Sequence, residues 1–192
     1  MALPTSGPLS LADIQTEFGG SNPISLSEYY AGGTYVPAGT SGTYGAVPTS
    51  GEISLRNFYG TQKALDVQTV GVAAVLSCGK SGCVDVGYGY TLTNSGPGSQ
   101  AGTISDGTFN PTGGTGITDL WWNISAGQNV LYFTLNAAVS NSGWTSMTIN
   151  GNVFNRTAAS FSSGSGYSTW TWSGVSSNPF GTTSGSVQAV FL

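Results

Sequence analysis

The chain has no histidine and almost no charge. Among 192 residues there are four Lys+Arg and eight Asp+Glu, so only 6% are charged, against about 25% in an ordinary globular domain. After Gly107 only Asp119 and Arg156 carry charge. Without histidine, Ser–His–Asp and Cys–His nucleophile sets are excluded, as are metal sites built on imidazole. Without clustered Lys and Arg there is no footprint for a phosphate backbone, so no nucleic-acid partner is expected. A basic helix lying on a membrane is excluded on the same ground. No apolar run approaches the roughly 18 residues of a membrane span. No basic segment leads into a long apolar one at the N-terminus, which predicts no signal peptide and synthesis in a cytoplasm. Two cysteines, Cys78 and Cys83, are spaced for a hairpin-tip disulfide. A zinc site would want two further ligands, which the sequence does not supply. Reduced thiols and a disulfide are both open, and no cofactor is expected.

What is present is glycine, Ser/Thr and aromatics: 30 glycines, with 11% Phe, Trp and Tyr. That is enough apolar area for a core and argues against simple disorder. A short phrase recurs in the first third. It reads Leu9-Ser10-Leu11-Ala12-Asp13-Ile14, then Ile24-Ser25-Leu26-Ser27-Glu28-Tyr29, then Ile53-Ser54-Leu55-Arg56-Asn57-Phe58. The outer copies share a leading arm, Leu3-Pro4-Thr5-Ser6-Gly7 and Val47-Pro48-Thr49-Ser50-Gly51. Ser followed three positions later by an acid is a capping box; Ser10/Asp13 and Ser25/Glu28 fit it, and Ser54/Asn57 is a weaker version. Gly19-Gly20, Gly32-Gly33 and Gly60 stop each helix after one or two turns.

Helices that short are marginal in water. They need a surface for Leu11, Ile14 and Phe18, for Leu26, Tyr29 and Tyr30, and for Leu55, Phe58 and Tyr59. That surface is either the other copies and the body of the protein, or a neighbouring protein on which the segment docks. Residues 31–46 read as an irregular loop, and Thr61-Gln62-Lys63-Ala64 as a hinge.

From Leu65 the period changes to two. Strands are predicted at 65–76, 84–92, 102–109, 116–123, 129–135, 144–149, 153–155, 158–162, 168–172 and 186–191, each bounded by Gly, Asn, Pro or Ser clusters. Val84, Val86, Tyr88 and Tyr90 are placed on one face of the second strand. Asn94–Gly98 reads as a loop. Asn150-Gly151 is the strongest hairpin signal. Many short strands with no helical pattern predict a mainly β fold: an antiparallel sandwich or jelly-roll-like domain over 65–192, preceded by an extended segment with short capped helices over 1–62. The expected core of the second part is Ile104, Phe109, Ile117, Leu120, Val130, Leu131 or Tyr132, Phe133, Leu135, Val139, Trp144, Met147, Ile149, Phe154, Phe161, Trp170, Trp172, Val187, Val190 and Phe191.

No catalytic set emerges. Asp66, Asp85, Asp106 and Asp119 show no spacing that favours a pair for glycoside hydrolysis. Gly79-Lys80-Ser81 lacks the upstream glycine and following helix of a phosphate loop. The aromatics are more informative. Trp121-Trp122 on a strand points one ring to each face, and Trp170 and Trp172 share a face. Either these rings fill the core, or Trp121, Trp122, Trp170 and Trp172 stack on sugar rings of a host-surface glycan.

Pro4 to Gly20, read alongside Val47 to Gly60, resembles segments that open many tailed-phage virion proteins, especially those of cyanobacterial phages. The likeness covers about the first third. The second part, through Asn141-Ser142-Gly143-Trp144-Thr145, Phe154-Asn155-Arg156 and Asn178-Pro179-Phe180-Gly181-Thr182-Thr183, is similar to β-rich modules of such proteins. The resemblance implies a non-enzymatic virion protein, a tail-fibre, baseplate or neck appendage. Its N-terminal repeats would dock on other virion proteins while the β-domain is displayed outward. A homotrimer is expected from the habit of phage fibres. A carbohydrate-binding host-recognition module and a capsid decoration protein are the alternatives.

Overall fold

A computed structural model describes residues 2–37, 39–94 and 100–192. Most of the expected loop at Asn94–Gly98 therefore lies outside the described residues. The fold is mainly β and antiparallel, and it divides into two compact units, residues 1–64 with the terminal Leu192, and Leu65–Phe191.

In the first unit the three phrases pack on each other. Helix α1 (Leu11–Phe18) follows the N-cap Ser10. The Ser10 amide and hydroxyl both donate to Asp13 Oδ2, at 2.8 and 2.7 Å, and the Asp13 amide donates to Ser10 Oγ at 3.2 Å. These bonds hold the Asp13 carboxyl below its ordinary value, the Ser10 hydroxyl acting most strongly. The weaker third copy closes in the same way: Ser54 N–H and Oγ–H donate to Asn57 Oδ1 at 2.8 and 3.0 Å, ahead of a single 3-10 turn, Leu55–Phe58. The middle copy does not form the expected box. Its turn, Leu26–Glu28, spans three residues, the Glu28 amide donates to the Ser25 carbonyl, and the Ser25 hydroxyl pairs with Ser27 at 2.7 Å.

The leading arms explain how the copies lock. Leu3 N–H donates to Thr61 O at 2.7 Å, and Gly60 N–H to Pro4 O at 2.9 Å, so the first arm binds the tail of the third copy. The third arm binds the tail of the second, with Ala31 N–H donating to Pro48 O at 2.9 Å. One tyrosine clamps each joint: Tyr59 Oη donates to Gly7 O at 2.6 Å, and Tyr30 Oη donates to Gly51 O. Both acceptor glycines hold left-handed backbone, φ +90° and +82°, which a β-carbon would strain. The stretch expected to be an irregular loop contains a small hairpin, β1 (Ser41–Gly42) with β2 (Gly45–Ala46), and contributes Val36 to the interior.

The second unit is built from β3 (Asp66–Gly79), β4 (Gly82–Thr91), β5 (Thr103–Ile104), β6 (Thr108–Phe109), β7 (Thr115–Asn123), β8 (Val130–Leu135), β9 (Ser146–Ile149), β10 (Asn152–Asn155), β11 (Ser160–Gly164), β12 (Tyr167–Trp172) and β13 (Gly185–Phe191). They form one curled sheet in the order β10-β9-β13-β3-β4-β7-β8-β12-β11, with β5 paired to β3 and β6 to β7. The long β3 makes the fold. Its first half, Asp66–Val72, pairs with β13, and its second half, Ala73–Gly79, pairs with β4. One strand thus serves both layers of a sandwich, a common way for a sheet to turn a corner. Asn150 and Gly151, at φ +46° and +78°, make the two-residue turn between β9 and β10, as the Asn-Gly pair predicts.

The core centres on Phe109, Phe133, Trp144, Trp170 and Phe191, with ring centroids 4.8–6.0 Å apart in mostly edge-to-face contacts. Two expectations are corrected by bulges and register. Val84 is 64% exposed, because the pairing slips between Val75 and Leu76 and leaves Val86 without an opposite residue; Val84 and Tyr90 therefore do not share the buried face. Val190 turns outward, while Ala189 and Phe191 on either side of it are fully buried. A second slip, at Thr118 on β7, brings both Ile117 and Leu120 inward despite their odd spacing.

Candidate functional site

The residues expected to seek a partner are used within the first unit. Ile14, Phe18, Tyr29 and Phe58 are buried in its own core, and Leu11, Leu26 and Leu55 pack against them. Phe58 meets Phe18 and Tyr29 edge-on, with centroids 6.2 and 6.4 Å away. Tyr30 and Tyr59 are the two clamps described above. Of the two surfaces open to these turns, the structure uses the other copies: three short turns bury each other once the arms close the ring. The division between the two units falls at the end of the expected hinge, after Ala64, and part of that stretch is held by the first unit. Thr61 is fully buried, and Lys63 N–H donates to Glu17 Oε1 at 2.8 Å, so both belong to the first unit. What this unit leaves outside is Tyr44, half exposed, lying edge-on to Tyr59 with the Arg56 guanidinium 4.5 Å over its ring.

Of the four tryptophans considered for sugar contact, three are core. Trp122, Trp170 and Trp172 are buried, and their indole N–H groups donate to Val175 O at 3.0 Å, Asn141 Oδ1 at 2.8 Å and Asn155 O at 2.8 Å. Alternation along β7 sends Trp121 the other way. Its ring lies nearly parallel to that of Tyr132 across the β7–β8 pair, with centroids 5.5 Å apart and planes 25° apart. The two rings, with Tyr167, Asp119, Asn123 and threonines 93, 134 and 169, line a groove of about 400 Å³ on the outer face of the sheet.

The Gly87-Tyr88-Gly89 stretch of β4 makes room for this arrangement. A β-carbon at Gly87 would fall 2.1 Å from Trp122 O and 2.8 Å from Trp121 Cε3; one at Gly89 would fall 2.6 Å from Trp121 Cα. Those glycines let the indole settle on the neighbouring strand. They were visible in the sequence, but only the strand pairing Gly89↔Trp121 gives them a purpose.

The polar groups of the groove are held in place. Thr91 and Thr118 hydroxyls donate to the two Asp119 oxygens at 2.5 and 3.0 Å. Asn123 Oδ1 accepts from the Ser125 amide and hydroxyl, at 2.8 and 2.7 Å. The Thr134 and Thr169 hydroxyls are 3.2 Å apart.

The remaining carboxylates play a different part. Gln68, fully buried, donates from Nε2 to Asp66 Oδ1 at 2.9 Å and to Asp106 Oδ1 at 3.0 Å. Asp66 also accepts the Asn110 amide, and Asp106 the Thr108 amide, each at 2.9 Å. Burial pushes the Asp66 carboxyl above its ordinary value, whereas the Thr108 amide and then Gln68 hold Asp106 below it. Sequence spacing did not reveal this pair. It ties β3 to the β5–β6 connection, and neither carboxylate lines the groove. Cys78 and Cys83 face each other across the β3–β4 hairpin and are joined as a disulfide. Among the described residues no group of three or more His, Cys, Asp or Glu is placed to hold a metal, and no helix is long and apolar enough to cross a membrane. No family model matches this chain, and no curated protein or solved structure matches it.

Proposed function

We propose that this protein is a non-enzymatic structural component of a phage virion, in which residues 1–64 form a prefolded connector and the β-sandwich is the displayed part. The observation that carries the reading is the division of the chain into two self-contained units, one of them closed from a thrice-repeated phrase. A connector of this kind docks through its outside. The candidate contact is therefore the Tyr44–Arg56–Tyr59 group rather than the apolar residues inside, since exposed Tyr and Arg are the residue types that dominate protein interfaces. The low charge and Ser/Thr-rich surface suit a display module. The partners are other virion proteins, and assembly as a homotrimer belongs to the same proposal.

The test is incorporation. Particles are produced with the full chain, with residues 1–62 deleted, or with Tyr44→Ala and Arg56→Ala together, and purified virions are probed for the β-sandwich. Loss on deletion and reduction in the double variant support the connector. Undiminished incorporation of the deleted form removes it. A density map of the particle would then separate a tail, baseplate or neck position from a capsid decoration.

A further inference from the structure

We infer that the groove over Trp121, Tyr132 and Tyr167 is a binding site for a neutral hexose-type saccharide. This goes beyond the display role and stands on the groove alone.

Three observations converge. The first is the aromatic lining. Trp121 and Tyr132 lie nearly parallel, and Tyr167 at the rim is 53% exposed. A pyranose ring presents an apolar C–H face that packs on such rings, and large aromatics keep a polar tip for the wet side of the contact. The second is the density of fixed polar groups beside the rings. Asp119, Asn123 and the Thr134–Thr169 pair are already oriented by their neighbours. A carboxylate oxygen accepts more than one hydrogen bond, and a hydroxyl both donates and accepts. The Asp119 oxygens thus have capacity for sugar hydroxyls beyond Thr91 and Thr118. Pre-orientation lowers the ordering cost of binding a polyol.

The third is charge. Asp119 is the single ionisable carboxylate in the lining, and no Lys or Arg stands there. A sulfated, phosphorylated or carboxylated sugar would meet repulsion with no cation to offset it. The groove is open to solvent and its volume of about 400 Å³ falls in the small-ligand range. Its rings are flanked by Asp119, Asn123 and threonines rather than by the apolar centre of a stable protein interface.

Gly87 and Gly89 are part of the site as positioning residues. They admit the Trp121 side chain against β4, and their backbone holds the ring where the groove needs it.

The experiment is a titration of the full chain with neutral glucan, mannan and galactan oligosaccharides of four to six units. It is followed by tryptophan fluorescence and by calorimetry, and sialylated and sulfated oligosaccharides form the counter-panel. At least one neutral series is expected to bind with a Kd on the order of 1 mM or tighter, with quenching or a shift of emission. Trp121→Ala should weaken that binding by about tenfold or more, and Tyr167→Ala should weaken it measurably. Val153→Ser, which alters an exposed residue outside the groove, should leave it unchanged. Thermal unfolding of each variant establishes that it is folded. Because Tyr167 sits at the exposed rim, its variant keeps the test valid even where Trp121→Ala is unstable. Absence of binding by every neutral series overturns the inference. Equal binding by wild type, Trp121→Ala and Tyr167→Ala overturns it too, as does preference for the anionic panel. Virion incorporation reads the connector separately.

Discussion

The self-sufficiency of the first unit can be tested at Phe58. This ring is fully buried and meets Phe18 and Tyr29 edge-on, so it joins the third copy of the phrase to the first and second. Truncating a buried Phe to Ala costs about 3–5 kcal/mol in transfer and cavity terms. A unit of residues 1–64 has a total stability of roughly 3–10 kcal/mol at 0.05–0.15 kcal/mol per residue. Phe58→Ala therefore removes between a third and all of it, and the arms should come loose with the core.

The assay separates the two units cleanly, because all five tryptophans of the chain lie in the second. Tryptophan fluorescence then follows the sandwich alone, and amide hydrogen exchange at Ile14, Phe18 and Thr61 follows the first unit. The variant should show collapsed protection at those amides with an unchanged tryptophan transition. Protection at Ile14 and Phe18 that survives Phe58→Ala would refute the closed arrangement. So would wild-type amides that exchange as fast as an unfolded chain, which would return the segment to needing a neighbour.

Three further outcomes are expected. Gly87→Ala forces a β-carbon to within 2.1 Å of Trp122 O and should cost about 1–3 kcal/mol by overpacking; a denaturant midpoint within error of wild type would contradict the placement of Trp121 against β4. Trp144 Nε1 is buried with no hydrogen-bond partner, whereas Trp172 Nε1 serves Asn155 O. Trp172→Phe should therefore cost about 0.5–1.5 kcal/mol more than Trp144→Phe, since only the former gives up a hydrogen bond, and equal losses in chemical denaturation would refute that. For pH, Asp106 is held below its ordinary 3.8, so the stability it contributes is present above that value and disappears as pH falls through the depressed one. Asp66 is raised by burial and acts in the opposite sense, its charged form being the costly one. The stability difference between wild type and Asp106→Asn, read by tryptophan fluorescence, should shrink on acidification through that window; a pH-independent difference would show that the carboxylate is not the acceptor.

The sequence by itself determined the local elements. Nine of the ten strands expected after Leu65 form close to their expected places, since period-two patterning between Gly, Asn and Ser clusters is a nearest-neighbour property; the one expected at 102–109 breaks at Asp106-Gly107 into β5 and β6, which pair with different strands. The Asn150-Gly151 turn and the outer capping boxes are local in the same way, each closing within three or four residues. Only the tertiary structure decided what those elements face. Trp121 and Trp122 are adjacent and chemically identical, yet one is core and one lines the groove, because alternation separates them and the β4 glycines receive just one. Val84 and Val190 look as buried as their neighbours in sequence, but a one-residue slip exposes the first and an opposite parity turns the second, half-buried, off the core face. The repeated phrases looked too sparse to fold, because apolar content can be counted along a chain while closure cannot. Whether the first arm meets the last turn, fifty residues away, is settled by long-range hydrogen bonds such as Tyr59 to Gly7, which no local pattern encodes.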